Sequence, residues 1–291
     1  MKLFARCHHK RKFLKDNRAV SPAISTVILT SAVIVLVLVA MVYAQNYLNV
    51  SVAQNEFSTN QQFMLTTGLQ MDDVAWTVGR TQTVRYTSSF GKVAFDSQAI
   101  NYSMEIDNGS GVFVPVPITL QSGIVLFNMP AKSYSLGNNY LQHIFPITNT
   151  SFLQQGPSAP VSYVYSIEKI PMSDGSFARV VIVPSIRMLS TYIGSQNYVE
   201  FYLPLLTNGT NRGLSQSVTM IGEHVTQYAK GGVTAVRFNA TFPRASEGFN
   251  SGFFPFNNTL VSNQFTTTVT FPSSTVQFYV ANVSVSLGLY S

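Results

Sequence analysis

The chain has 291 residues, of which 46% are hydrophobic and only 10% charged, against roughly 25% charged in an ordinary soluble domain. That composition excludes charge-driven disorder, and a single cysteine excludes a disulfide framework and any cysteine-based metal site. The net charge of +6 and pI near 9.4 would ordinarily suggest an anionic partner.

The distribution of charge answers that suggestion. Of the 18 basic side chains, seven lie before residue 19 (Lys2, Arg6, Lys10, Arg11, Lys12, Lys15 and Arg18); of the 12 acidic ones only Asp16 does, so residues 19–291 balance at eleven and eleven. A nucleic-acid binder needs basic residues clustered on a folded surface, with aromatics interleaved, and no such patch follows Arg18. The basic pI describes a leader, and no nucleic-acid partner is expected. The same leader holds Cys7-His8-His9, which lacks the second spaced pair that a zinc site requires.

From Ala19 to Asn55 there is no charged side chain. Pro22 to Ala44 would form about 35 Å of helix at 1.5 Å per residue, enough to cross a bilayer. Ser21-Pro22 is a helix start, with Ser as N-cap and Pro where its missing N–H costs nothing. Seven basic residues before the segment place the N-terminus in the cytoplasm and export the remainder. A secretory signal peptide cut near Val42-Tyr43-Ala44, or an uncleaved anchor, would share these features. The apolar stretch, however, exceeds the 7–15 residues usual for a signal peptide.

The junction Arg18-Ala19-Val20-Ser21-Pro22, followed by AISTVILTSAVIVLVLVAMVYA, resembles the class III signal peptide of archaeal type IV pilins. The resemblance implies cytoplasmic cleavage by a prepilin peptidase after Arg18 and Ala19, leaving Val20 as the new N-terminus and the helix on the mature protein. It also implies, as partners, other copies of the subunit, a secretion ATPase and a membrane platform protein. Bacterial type IV pilins carry Glu at the fifth mature position, where this chain has Ile24; archaellins begin with a Gly-rich stretch instead of Val-Ser-Pro. An adhesive or structural pilin fits better than a motor-filament subunit.

The helix is predicted to continue. No Pro occurs between Gln45 and Met71, and Tyr43, Val50, Phe57, Met64 and Met71 recur every seven residues. The intervening positions Asn60 and Thr67 are polar, which weakens the heptad pattern. This stripe suits either a contact between subunits or packing on the chain's own globular part. Pro22 to Met71 would give about 75 Å of helix, the long N-terminal helix by which pilins bundle.

Past Asp72-Asp73 the texture becomes β. Segments such as KVAFDSQAINYSMEI, GIVLF, VSYVYSIEKI, ARVVIVPSI, YVEFYLPLL, TAVRFNATF, FTTTVTF and TVQFYVANVSVSL are rich in Val, Thr, Phe and Tyr. Turn formers separate them, including Asp107-Asn108-Gly109, Ser173-Asp174-Gly175, Asn208-Gly209 and Gly231-Gly232. The expected fold is α+β overall: a cleaved leader over 1–19, a long hydrophobic helix over 20–71 and a large all-β, sandwich-like domain over 72–291. QQGPSAP, at 154–160, is a candidate subdivision of that domain.

Eight Asn-x-Ser/Thr sequons occur, at Asn49, Asn101, Asn108, Asn149, Asn208, Asn239, Asn257 and Asn282. In an exported chain so sparsely charged they are candidate N-glycosylation sites, and glycans would add solubility. No catalytic, cofactor-binding or metal-ligating constellation is expected. His143 and His224 are the only histidines after the leader, without HExxH spacing, and neither G-x-S-x-G nor a P-loop is present. Glu223-His224 reads as a surface strand pair, and Asp107-Asn108-Gly109-Ser110-Gly111 as a hairpin turn lacking the bidentate Glu of a calcium loop. Asp72, Asp73, Arg80 and Arg85 surround the single tryptophan, Trp76, and are expected to pair where helix meets strand. The function expected is a non-enzymatic subunit of a cell-surface filament. A monomeric, membrane-anchored surface protein, for example a sugar binder, is the alternative; an exported hydrolase is a third class with no site displayed.

Overall fold

In the computed structural model the described residues are 17–288 apart from 119, 149, 211–214 and 262, with side chains described from residue 24 onward. The chain divides into two compact units, Met1–Ser51 and Val52–Ser291. A single helix, α1 (Asn17–Ala75), begins in the first and ends in the second, running past both expected ends.

Within the first unit, the described part is uninterrupted helix with every side chain from Ile24 to Val50 exposed. Val27, Ile28 and Leu29 are 67%, 63% and 69% exposed; lying about 100° apart around the axis, they show that no side of this segment is covered. Thr30 and Ser31 return their hydroxyls to the carbonyls of Thr26 and Val27 at 2.8 and 2.5 Å, so these two side chains are satisfied within the helix.

From Ala53 the helix becomes one-sided. Ala53, Phe57, Asn60, Met64, Thr67, Met71 and Val74 are all buried, at the alternating three- and four-residue spacing of one helical face. The two polar positions therefore belong to the stripe instead of interrupting it. Thr67 Oγ1 donates to the Phe63 carbonyl at 2.9 Å and is satisfied locally, whereas Asn60 donates through Nδ2 to the Glu56 carbonyl at 2.8 Å and leaves its buried Oδ1 without a partner. Gly68 is the point of closest approach: a Cβ there would stand 2.7 Å from Val164 Cγ2, and Ser162 Oγ donates to its carbonyl at 2.7 Å. The helix ends where Thr77 and Arg80 turn back on Val74 and Thr77, and Gly79 and Arg80 exchange bonds with Gly222.

The strands are β1 (Thr81–Arg85), β2 (Lys92–Asp107), β3 (Val114–Pro115), β4 (Leu120–Pro130), β5 (Tyr140–Phe145), β6 (Leu153–Gln155), β7 (Ser162–Glu168), β8 (Phe177–Pro184), β9 (Ile186–Ile193), β10 (Gln196–Asn208), β11 (Ser217–Thr241), β12 (Thr259–Val261) and β13 (Gln264–Leu287). All belong to one mixed sheet, in the order β5-β7-β8-β4-β2-β11-β13-β10-β9-β6, with β1 on β11, β12 on β13 and β3 on β2. β10 runs parallel to β13 and β6 parallel to β9; the other pairings are antiparallel. The 154–160 stretch begins with the last two residues of β6, a strand of the same sheet as those on either side of it.

The sheet bends over on itself, bringing β10 against β4. One core fills the fold: Tyr163, Tyr165, Ile124, Leu126, Phe201, Phe238 and Phe278 meet there with Phe242, Phe249, Phe253, Phe254, Phe256 and Phe265. A second core lies on the opposite face of β4, β7 and β8, where Val125, Phe127, Val164, Val180 and Ile182 receive the α1 stripe. These three strands are covered on both faces, and the apolar runs Ile124–Phe127 of β4 and Val180–Val183 of β8 reflect it. The expected α+β architecture is present, its sandwich realised as one folded ladder.

Two sequence expectations need correction. Gly231-Gly232 does not separate strands; it lies inside the 25-residue β11, at a register shift between Lys230 and Val233, so the pair supplies a bulge. Likewise FTTTVTF and TVQFYVANVSVSL form the single strand β13. Both strands change partner along their length, and a sequence segment records only local texture.

Candidate functional site

The leader residues 1–16, with Cys7, His8 and His9, and the sequon Asn149 lie outside the described residues. Arg18, Ala19 and Val20 fall in the first turns of α1. Downstream of them the chain offers an apolar rod, Ile24 to Ala44, and from Ala53 onward a stripe buried on its own β unit. The heptad residues thus divide: Tyr43 and Val50 are exposed, whereas Phe57, Met64 and Met71 are buried.

The change from rod to stripe is marked by Glu56, the first charged residue after Arg18. Its Oε1 accepts the Ser88 hydroxyl and the backbone N–H groups of Ser89 (2.8 Å), Phe90 (3.0 Å) and Gly91 (3.4 Å). Ser88 Oγ in turn accepts from Gly91 N at 2.8 Å. Partial burial of Glu56 opposes its ionisation, but these bonds outweigh that effect and hold its carboxyl below the usual range. A carboxylate therefore clamps the β1–β2 loop to the helix.

Of the four charges expected to pair around Trp76, only Arg80 and Asp73 pair with each other, at 3.0 Å, while Arg85 lies exposed on β1 outside any described ion pair. Trp76 Nε1 donates to Asp72 Oδ1 at 2.6 Å. Asp72 also binds Arg187 of β9 at 2.8 Å, a partner that spacing alone did not suggest. The Arg187 guanidinium lies 5.1 Å over Tyr202, which stacks on Tyr279 at 5.0 Å and meets the edge of Trp76. Tyr202 Oη donates to Glu200. The cluster joins helix to sheet.

The sequons differ sharply in presentation. Asn49, Asn101, Asn108, Asn208 and Asn257 are exposed. Asn239 is 7% exposed, its Nδ2 directed to Ser103 Oγ and its Oδ1 accepting from Thr266; the folded domain does not offer that amide to an enzyme. Asn282 is half-buried, 3.0 Å from His224 Nε2. Asn108 sits in a turn organised by Asp107 Oδ1, which accepts the backbone N–H groups of Gly109, Ser110 and Gly111. Those bonds account for the Asp-Asn-Gly sequence as hairpin chemistry between β2 and β3.

Glu223 and His224 are exposed at a bulge of β11. His143, partly buried, is 2.5 Å from the Tyr163 hydroxyl, and burial lowers its pKa. Among the described residues no group of three His, Cys, Asp or Glu side chains is placed to hold a metal. α1 is the one described helix long and apolar enough to cross a membrane. No protein family, curated protein or solved structure matches the chain.

Proposed function

We propose that the chain is a structural, adhesive subunit of an archaeal type IV pilus-like surface filament, assembled through its N-terminal helix after prepilin-peptidase cleavage between Ala19 and Val20. The observation that carries this reading is the rod from Ile24 to Ala44, uncharged, predominantly apolar and exposed on every side. A helix hydrophobic all round requires an apolar surrounding, and lipid followed by a bundle of identical helices supplies it in two successive states. The resemblance at Arg18-Ala19-Val20-Ser21-Pro22 selects this route over a simple anchor.

Lipid tails are as apolar as the rod, so transfer from bilayer to bundle gains little hydrophobic free energy. An external motor, the secretion ATPase acting with a platform protein, supplies the work. The β unit faces outward, carries N-glycans at exposed sequons and makes the adhesive contact.

N-terminal sequencing of the mature protein tests the reading. A start at Val20, with filaments seen by electron microscopy, supports it. A start at Gln45 identifies a secretory signal peptide and overturns it. An intact N-terminus without filaments supports the monomeric, membrane-anchored surface protein.

A further inference from the structure

We infer that the free edge of β9 pairs with the same edge of a second copy of this chain, forming a two-fold antiparallel sheet across the two β units. The inference is independent of the filament reading.

β9 has two unequal sides. On one it pairs with β10 from Arg187 to Ile193. On the other, β6 covers only Ile186–Met188. Ile186 N–H donates to the Phe152 carbonyl at 2.7 Å, and the Met188 carbonyl accepts from Gly156 N–H at 3.0 Å. Backbone groups alternate sides along a strand, so the same parity turns the N–H and C=O of Ser190 and Tyr192 outward. Among the described residues nothing takes them. A groove of about 470 Å³ runs along this stretch between Leu189–Thr191 and Gln155–Pro157.

The other long open edges carry devices that discourage pairing. The stretch of β11 between its β1-paired and β2-paired segments bears Glu223, Lys230 and register shifts on both sides of Val233. β13 between its β12-paired and β10-paired segments contains Pro272. β5 has a register shift between His143 and Phe145 and is followed by Pro146. Leu189–Ile193 has no charge, no proline and no bulge, and it ends on Tyr192 and Ile193, 64% and 65% exposed.

The segment Leu-Ser-Thr-Tyr-Ile is also complementary to itself. An antiparallel pair centred on Thr191 sets Ser190 of each copy opposite Tyr192 of the other. Both residues have outward backbone groups, so the two pairs close four N–H···O bonds. Leu189 then faces Ile193 on one side of the sheet, and Thr191 faces Thr191, a favourable cross-strand pair. In this register Gly194 of the second copy falls opposite Met188, where its strand gives way to the hairpin turn. Pairing therefore stops where Gly156 already occupies the edge. An uncharged strand meeting itself brings no repulsion, and the contact is isologous, so it closes as a dimer.

Thr191 is the non-hydrogen-bonded pair, with Cα atoms about 4.5 Å apart, within disulfide reach. The test uses the full chain in detergent with Cys7→Ser, comparing Thr191→Cys with Thr226→Cys on the guarded β11 edge under mild oxidation. Covalent dimer from Thr191→Cys at least tenfold above the Thr226→Cys level is expected. Equal yields would overturn the inference, because association through the helix alone does not distinguish the two positions. Adding Tyr192→Pro, which removes an N–H that only the pair uses, is expected to cut the Thr191→Cys dimer at least fivefold. An unchanged yield in a variant with native near-UV circular dichroism would also refute the pairing. Filaments without a Thr191 cross-link would sink the edge pairing while leaving the filament reading intact.

Discussion

Glu56→Ala is expected to loosen the β1–β2 loop from the helix and destabilise the β unit. The carboxylate accepts the Ser88 hydroxyl and two short backbone N–H bonds, with a third, longer one from Gly91. A hydrogen bond to a charged group contributes about 1.5–3 kcal/mol when its partner is left buried and unpaired. Here Ser89 is exposed and Glu56 only half-buried, so water replaces part of the loss and the net cost falls to about 2–3 kcal/mol for the set. Glu56→Gln keeps an acceptor but loses the charge, at about 1 kcal/mol. With about 2–4 °C per kcal/mol for a unit of this size, the alanine variant should melt roughly 4–12 °C lower by circular dichroism. The folded pKa is depressed, so the contribution is fully present above the ordinary value of 4.5 and is lost as pH falls through the lower folded value. The wild-type and alanine curves should converge in acid. A melting temperature of Glu56→Ala within about 1 °C of wild type at pH 7 would refute the reasoning.

Gly68→Ala places a Cβ 2.7 Å from Val164 Cγ2; overpacking of this kind costs about 1–3 kcal/mol, measurable by denaturant titration of the folded chain. Burial lowers the pKa of His143 below 6.5, so the unfolded chain binds more protons there and stability should fall as pH drops below that value. His143→Gln should flatten this part of the pH profile. Glycopeptide mapping of the natively produced protein should find modification among the exposed sequons and none at Asn239. Asn239→Ala should still cost about 1 kcal/mol, because Thr266 loses its acceptor.

Much of the helix was legible because its signals are local: an uncharged run, no proline, and a seven-residue recurrence. Asn60 and Thr67 carry no apolar signal, yet both lie in the buried face: Thr67 is satisfied by the carbonyl one turn earlier, whereas Asn60 is held through Nδ2 alone and its Oδ1 stays unpartnered. The strand texture was also legible, but its division into strands was not. Gly231-Gly232 serves equally for a turn or a bulge, and which it becomes depends on partners far away in sequence, β13 on one side and β2 beyond it. The Asp72–Arg187 pair, 115 residues apart, and the open half of β9 were hidden for the same reason. Neither follows from a residue's neighbours; both follow from where the ladder stops.

The buried stripe of α1 has a mechanical consequence. From Ala53 to Ala75 it covers about 33 Å of helix at 1.5 Å per residue, laid lengthwise on strands of the second core. Tension along the helix axis loads that contact in shear, so Phe57, Met64, Met71 and Val74 resist together instead of yielding one at a time. Glu56 stands at the end where such a pull enters and takes the strain first. Peeling the helix sideways from its own sheet would instead break the same contacts one after another, and that is the weak direction of the joint.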